Sequence, residues 1–388
     1  MHDYAGCVHF HSAYSYDARV PLPRILNDAA RVGLDFAILT DHFRLDARAE
    51  GFEGYFASPQ PSPGGTIGPM RPWTDGPASS ESKGCWGGRQ SPGEAKSVLL
   101  IVGEEISPRY NHYLALNIQK PVVVWKTETH AQRLIDEVNA QGGFGFIAHP
   151  DHAGAPLVGS RAFPWIDWGV RGYAGLGLWD LMSDWNSALS TPWKTLLACL
   201  RPAHALKGPS VAALARWDKL TQNAHCAAIG EIDNHGHRRS FFGLTRDVFS
   251  FEFAFRTIRT HVLLEKPLTK NAPADAEMIL SALRKGQSYV SLDIWNDPTG
   301  FSFRVYDDMA EAGPGGEFTR SGQALLEAKL PRPGRLCLIR NGRLIKDERR
   351  RAALQWDIDL PGVYRIEAHQ RISGRWHPWI FSNPIWVK

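Results

Sequence analysis

Histidines and carboxylates recur in short groups along the first 235 residues of this chain. The groups, in order, are His9-Phe10-His11, Asp17, Asp41-His42, Glu104-Glu105, His112, His149 and Asp233-Asn234-His235. Imidazole and carboxylate are the usual protein ligands of zinc and related divalent metals. A hydrophobic core has no use for so many ionisable groups. The pattern therefore predicts a cluster of divalent metal ions.

The elements that must position these groups are apolar runs of strand length. Strands are predicted at 5–10, 35–39, 97–102, 113–118, 144–148, 226–229 and 288–292. Most groups come directly after such a run, and in barrels of parallel strands the carboxyl ends meet on one face, where sites are built. Singly each group is a weak signal, because an Asp can be a cap or turn residue and a His pair can lie on the surface. Their repetition at several strand ends favours one shared site.

Local spacing orients only some of these side chains. His9 and His11 lie two residues apart on or just past a strand, so both imidazoles should face the same side. Glu104 and Glu105 are adjacent, so only one of them can face the way of the inward set. Alternation along the strand does not choose between them.

The spacing of apolar residues predicts an α/β architecture. A helix at 22–32 ends at Gly33 and is followed by the strand at 35–39, a βαβ unit typical of parallel sheets. Further helices are predicted at 130–141 and 273–285. Two stretches interrupt this rhythm: about 44–97, which is rich in Gly, Pro and Ser and is either a lid or disordered, and the Trp-rich stretch 151–225.

The pattern of apolar residues changes near residue 295. From there on, apolar and polar residues alternate, and turn signals such as Asn341-Gly342 and Pro361-Gly362 replace helical spacing. At 388 residues the chain is also longer than one hydrophobic core usually supports. We therefore expect two domains, 1–293 and 294–388, with the second a small antiparallel β domain.

Composition excludes several functional classes. The net charge of +4 comes without a basic tail or stripe, so no nucleic-acid partner is indicated, while mild positivity suits an anionic small-molecule substrate. Five cysteines without a CxxC pair fit a reducing compartment. No signal peptide or membrane span is recognisable. The expectation is a cytoplasmic protein with no membrane partner, and its oligomeric state is left open.

The ordered set of motifs resembles the PHP (polymerase and histidinol phosphatase) superfamily over roughly residues 5–292. The motifs are His9-Phe10-His11-Ser12, Thr40-Asp41-His42, Gly103-Glu104-Glu105-Ile106-Ser107, His112, Ala148-His149-Pro150 and Asp233-Asn234-His235. The C-terminal stretches Leu338-Ile-Arg-Asn-Gly-Arg343 and Trp379-Ile-Phe-Ser-Asn-Pro384 resemble the β appendix of a branch that includes carbaryl hydrolase-like proteins.

The resemblance implies a distorted (β/α)7 barrel followed by a small antiparallel β-sandwich, with two or three ions of zinc, manganese or iron. It selects Glu105 over Glu104 through the Gly-x-Glu-Ile pattern. It assigns one metal to His9, His11, Glu105 and Asp233, and a second to Glu105, His112 and His149. It assigns a third to Asp17, His42 and His235.

The expected activity is that of a metal-dependent phosphoesterase acting on a small-molecule phosphate ester. A hydroxide bridging the metals would be the nucleophile, with Asp233 orienting it or taking its proton and Glu105 bridging the ions. Arg44, Arg161, Arg238 and Arg239 are either phosphate contacts or solvated surface groups, and His152 and His237 either substrate contacts or supports for the ligands. One alternative is hydrolysis of a carboxylic or carbamate ester at the same site. Another is a metal-stabilised binding module without catalysis.

Overall fold

The structure is a computed structural model that describes residues 1–57, 97–125, 130–241 and 244–388, with only the backbone of 238–241 and 244–247. In chain order the strands are β1 His2–Phe10, β2 Phe36–His42, β3 Gly54–Ala57, β4 Ser97–Ile106, β5 Tyr113–Leu116, β6 Phe144–Ile147, β7 Gly175–Asp180, β8 Ala227–Asn234, β9 Arg238–Phe241, β10 Leu244–Asp247, β11 Ile258–Leu264, β12 Ser288–Leu292, β13 Ser302–Tyr306, β14 Glu311–Ala312, β15 Glu317–Phe318, β16 Ala324–Arg340, β17 Arg343–Ile358, β18 Gly362–Ile372, β19 Arg375–Ser382 and β20 Ile385–Val387.

The helices of the described residues lie mostly between barrel strands. They are α1 Leu22–Arg31, α2 Asp46–Ala49, α3 Ala131–Ala140, α4 Leu181–Ala188, α5 Pro192–Leu200, α6 Pro202–Ala205, α7 Val211–Thr221, α8 Phe251–Phe255 and α9 Ala272–Lys285, with one 3-10 turn at Pro156–Val158. Gly33, just past α1, has a φ of 77°, the left-handed conformation expected of a glycine that ends a helix.

Seven strands close into a barrel in the order β1, β2, β4, β5, β6, β7, β8 and back to β1. The prediction of a mixed α/β fold is confirmed. The barrel is not wholly parallel, because β5 runs antiparallel to both β4 and β6. Only residues 107–112 join β4 to β5, which is too short for the crossover that a parallel pair requires.

The barrel strands are buried on both faces, which explains their continuous apolar runs. Val8, Ile38 and Ile229 belong to one core that also packs Ile279 and Leu283 of α9. The alternating residues face a second core, formed with α1, α3, α4 and α7. Helices therefore pack against the barrel strands, and polar groups buried among them must be satisfied by one another or by a bound species.

Other strands extend the sheet beyond the barrel. β3 pairs antiparallel with β4, β11 with β1, and β12 with β11. The strands after residue 301 pair mostly antiparallel around a further cluster of buried residues, which also includes Leu263 of β11 and Tyr289 of β12, and β19 pairs with β12. Hydrogen bonding therefore runs across residues 293–294, and the division into two domains stays a prediction.

The predicted insertion at 44–97 begins with regular structure, namely α2 and β3. Residues 58–96 lie outside the described part of the chain, so the expectation of a lid or disorder there stays a prediction. Among the described helices, not one combines the length and apolar character that crossing a bilayer requires.

Candidate metal centre

The nine residues expected to bind metal lie together at one end of the barrel. β1 supplies His9 and, just beyond it, His11; β2 supplies His42; β4 supplies Glu105; β8 supplies Asp233 and, just beyond it, His235. His149 follows β6, Asp17 lies in the loop after β1, and His112 directly precedes β5. Because β5 is antiparallel, its amino end lies at the same end of the barrel as the carboxyl ends of its neighbours.

The backbone is unusual at three of these residues. His9, His149 and Asp233 have φ values of 67°, 25° and 41°, in the region that residues with a Cβ rarely adopt. The register between β1 and β8 also shifts between Val8 and Phe10, around His9. Such conformations persist only where the surrounding structure enforces them, and they concentrate at functional sites. Both strands therefore depart from regular geometry to aim these side chains into the site.

Four buried atoms face one another: His9 Nε2, His11 Nε2, Glu105 Oε2 and Asp233 Oδ1. Within the described residues none of the four makes a well-aligned hydrogen bond, although Glu105 Oε2 also lies 3.0 Å from His42 Nδ1. Each imidazole nitrogen lies 3.3–3.4 Å from both carboxylate oxygens. Ligands at about 2.0–2.1 Å from an ion, in tetrahedral arrangement, lie roughly 3.3–3.4 Å apart. The four atoms thus fit a divalent metal ion better than they fit one another.

The second carboxylate oxygen of Glu105 faces two other histidines, His112 and His149. Glu105 Oε1 lies 2.7 Å from His112 Nδ1 and 3.3 Å from His149 Nε2. The other ring nitrogen of His112 donates to the carbonyl oxygen of Pro108 at 2.9 Å. In neutral His112 the Nδ1 lone pair therefore faces a carboxylate, an arrangement that a cation between them would stabilise. Glu105 therefore belongs to two of the potential ligand groups.

A third group forms around His42 and His235. Their Nε2 atoms lie 3.4 Å apart, and Asp17 Oδ2 lies 3.4 Å from the first and 3.5 Å from the second. The ring of His11 stacks on both, with centroids 4.3 and 4.0 Å away, and His11, His42 and His235 also form a potential ligand set. Asp17 is about a third exposed, so this group lies nearest to solvent.

Supporting hydrogen bonds fix which nitrogen of three histidines is free to bind a cation. His9 Nδ1–H donates to Glu231 Oε1 at 3.1 Å, and His235 Nδ1–H donates to the carbonyl oxygen of Asp233 at 3.1 Å. His11 Nδ1–H donates to the Ser15 hydroxyl at 3.1 Å, which in turn donates to Asp41 Oδ1 at 2.7 Å. With these protons committed, each Nε2 presents a lone pair to the centre, as a metal ligand must.

The electrostatics keep the two central carboxylates ionised. Burial raises the pKa of Glu105, but positive charge on the imidazoles of His42, His9 and His112 lowers it by more, so the net pKa lies well below its ordinary range. A cation held among neutral imidazoles would shift this pKa in the same direction. Asp233 is affected in the same way, with His9 as the leading charge. For His11, burial comes first and the neighbouring imidazoles His235 and His42 act in the same direction, so its pKa is lowered. Anionic oxygens and a neutral imidazole are the forms that bind metal.

Glu231 and Ser15 are supporting residues that sequence reasoning missed. Glu231 is fully buried, and its Oε2 also accepts the backbone N–H of His149 at 2.8 Å, so it braces two ligands. A signal for it existed. The predicted strand ends at residue 229, whereas β8 continues to Asn234, and residues two apart on a strand share a face, which pairs Glu231 with Asp233. Ser15 has no such signal, because its role depends on how the loop after β1 folds.

A cavity of about 880 Å³ opens over the three groups. Asp17, His42, Glu105, His112, His149, Asp233 and His235 reach it. Its remaining walls are partly apolar, with Phe163, Met182, Trp185 and Val248, and partly cationic, with Arg109 and Arg161. The cavity is large enough for a small-molecule substrate.

The structure places only some of the candidate substrate contacts at the cavity. Arg161 lines the cavity, whereas Arg44 is not among its described lining residues; the side chains of Arg238 and Arg239 lie outside the described part. His152 and His237 both line the cavity. Burial, with the charge of His149, lowers the pKa of His152 to about 4, so that imidazole is neutral. The His237 ring stacks on His235 at 5.0 Å.

The prediction that buried His, Glu and Asp side chains could hold metal ions is confirmed for the described residues. The identity and number of the ions stay predictions. A comparison of the chain with protein-family models finds no matching family, and a comparison with curated proteins finds no match. The resemblance to the PHP superfamily therefore rests on the motif residues themselves.

Proposed function

We propose that this protein is a metal-dependent phosphoesterase of the PHP type, which hydrolyses a small-molecule phosphate ester. The observation that carries the proposal is the convergence of four buried atoms, from His9, His11, Glu105 and Asp233, next to a cavity of about 880 Å³ that Glu105 and Asp233 reach. Divalent metals bound there would acidify a water molecule and neutralise negative charge on the substrate.

The residues of the chain have distinct roles in this proposal. His9, His11, Glu105 and Asp233 would hold one ion, Glu105, His112 and His149 a second, and Asp17, His42 and His235 a third. Asp233 also lines the cavity and is 15% exposed. Its carboxylate can therefore accept a hydrogen bond from a water molecule in the cavity and orient that water toward the substrate. Arg161, exposed at the cavity wall, would contact a phosphate oxygen.

Phosphate release from p-nitrophenyl phosphate by protein loaded with manganese, zinc or iron tests the proposal. We expect metal-dependent turnover that is abolished in His9→Ala and in Asp233→Asn. Because Asp233→Asn keeps the shape of the side chain, measuring its bound metal separates loss of chemistry from loss of the ions. Absence of phosphate release with every metal, from protein shown to contain two or three ions per chain, would refute the phosphoesterase assignment.

Hydrolysis of a carboxylic or carbamate ester is the second candidate, and the apolar part of the cavity favours it. Phe163, Met182 and Trp185 would suit an uncharged aromatic or aliphatic group. The same water nucleophile can attack a carbonyl carbon. Comparing kcat/KM for p-nitrophenyl acetate and an aryl carbamate with that for the phosphate distinguishes the two candidates. Metal-loaded protein inert toward all three would instead favour the binding module.

A further inference from the structure

Helix α5 places its large apolar residues on the outside of the protein. Trp193 and Leu200 are each 66% exposed, Leu197 is 44% and Leu196 is 39% exposed. Positions 193, 196, 197 and 200 lie on one side of a helix. We refer to these four residues as the α5 stripe. An amphipathic helix in a globular protein normally turns such a stripe toward the core. An apolar stripe that faces outward instead indicates an interaction surface.

Several contacts that fix the position of α5 lie outside the stripe. The Thr191 hydroxyl caps the helix by accepting the backbone N–H of Lys194, and Pro192 occupies the first turn. Ala198 is the buried residue of the helix, and its carbonyl oxygen accepts the indole N–H of Trp185 at 3.3 Å. Part of what holds α5 in place therefore does not depend on the stripe.

The surroundings of the stripe are basic. Residues 185–217 contain no Asp or Glu, and within them Lys194, Arg201 and Lys207 are exposed. Lys194 lies within α5, and Arg201 follows it directly. A helix with Trp and Leu on one side and Lys or Arg at its margins is typical of segments that lie in the interface of a membrane rather than across it.

We propose that the α5 stripe and its flanking cations form a docking surface for an anionic lipid bilayer. A twofold contact between two copies through this surface would place like charges against each other. Four partly exposed side chains also fall short of the roughly 800 Å² per partner that a stable protein interface buries. A bilayer with anionic headgroups satisfies both the apolar stripe and its basic margin.

Docking would bring the candidate metal centre to the membrane surface. Trp185 lines the cavity and contacts α5, and Met182 and Asn186 of α4 line it as well. The surface is independent of the proposed chemistry, since it includes no candidate metal ligand. It also departs from the expectation of no membrane partner, which rested on the lack of a spanning segment and did not address peripheral binding.

Co-sedimentation of the full-length protein with vesicles tests the proposal. We expect binding to vesicles of phosphatidylcholine with phosphatidylserine, and weaker binding to phosphatidylcholine alone or at high salt. Leu197→Glu with Leu200→Glu should lower partitioning at least about tenfold, and Lys194→Glu with Arg201→Glu should lower it only for anionic vesicles. Met309→Glu with Leu344→Glu is the matched control, because these apolar residues are 83% and 54% exposed elsewhere.

Several outcomes would overturn the proposal. They are absence of wild-type binding to anionic vesicles, equal binding to neutral vesicles, or equal loss in the control variant. A dimer in light scattering that dissociates in Leu197→Glu with Leu200→Glu, without vesicle binding, would assign the surface to a second copy. Unchanged circular dichroism and thermal midpoint of the variants would establish that they fold.

Discussion

Replacing Glu231 by Gln should weaken metal binding although Glu231 is not itself a predicted ligand. Its carboxylate accepts two hydrogen bonds, from His9 Nδ1–H at 3.1 Å and from the His149 backbone N–H at 2.8 Å. Gln offers one acceptor oxygen and one NH2 donor. Whichever way its amide turns, one of the two donors then faces another donor.

The expected loss follows from that mismatch. A hydrogen bond to a charged group contributes about 1.5–3 kcal/mol, which corresponds to roughly a 10–100-fold change in affinity. Residues that orient metal-binding histidines show effects of the same size. Glu231→Gln should therefore raise the Kd for manganese or zinc by about 10–100-fold, measured by titrating metal-free protein against a competing chelator.

Two further variants sharpen this test. Glu104→Gln is the matched control: Glu104 is equally buried, and its Oε2 accepts the backbone N–H of Val122 at 2.9 Å, away from the metal centre. Its replacement should leave metal affinity unchanged. Gly177→Ala should reproduce the Glu231 defect, because a Cβ there would lie 1.5 Å from Glu231 Oε2 and displace the carboxylate. Metal affinity in Glu231→Gln within about twofold of wild type, below the range expected for such residues, would refute the reasoning.

Three other predictions concern stability. Burial lowers the pKa of His261, but Asp293 and Asp3 raise it to about 9 from an ordinary 6.5, so its stabilisation is complete below pH 6.5 and is lost as the pH rises through about 9. The free energy of unfolding of metal-loaded protein should fall by about 3 kcal/mol across that interval, and the same slope in His261→Asn would contradict this origin. Asp218→Asn should cost about 1.5–3 kcal/mol in chemical denaturation, because buried Arg365 loses its two-point charged partner at 2.7 and 2.8 Å and keeps only Glu367 at 2.6 Å. Asp347→Asn, which removes a partly exposed pair with Arg335, should cost under about 1 kcal/mol, and equal costs would count against the argument. Removing metal with a chelator should lower stability by about 4 kcal/mol relative to protein at a metal concentration of about 1,000-fold the Kd, and superimposable melting curves would argue against bound ions.

The sequence predicts the helices and strands whose apolar spacing is simple. Helix α9 at Ala272–Lys285 and strand β12 at Ser288–Leu292 lie where the apolar spacing places them. The sequence predicts no strand at the positions of β7 and β11. It predicts a strand that ends at residue 229, five residues before the end of β8 at Asn234. The antiparallel direction of β5 was missed as well, because strand direction depends on how a connection crosses the sheet and not on the spacing within the strand.

The candidate site was predictable to the level of residue type and order along the chain. Glu105 is the carboxylate that faces the histidines, whereas Glu104 points to the Val122 backbone, a choice that strand alternation left open. Asp41 and Glu231 support ligands through contacts between residues distant in sequence, and Ser15 contacts His11, four residues away, only when the loop after β1 folds. Only a folded chain brings such residues into hydrogen-bonding distance.

By itself, the sequence determined that this protein carries a surplus of imidazoles and carboxylates at the ends of buried strands. Each of those groups is a local feature, readable from residue type and spacing. The tertiary structure decided that they meet, that Glu105 lies between two sets of histidines, and that the protons of His9, His11 and His235 point away from the centre. It also decided that α5 turns its apolar side outward, because the direction of a helix face depends on what packs against it.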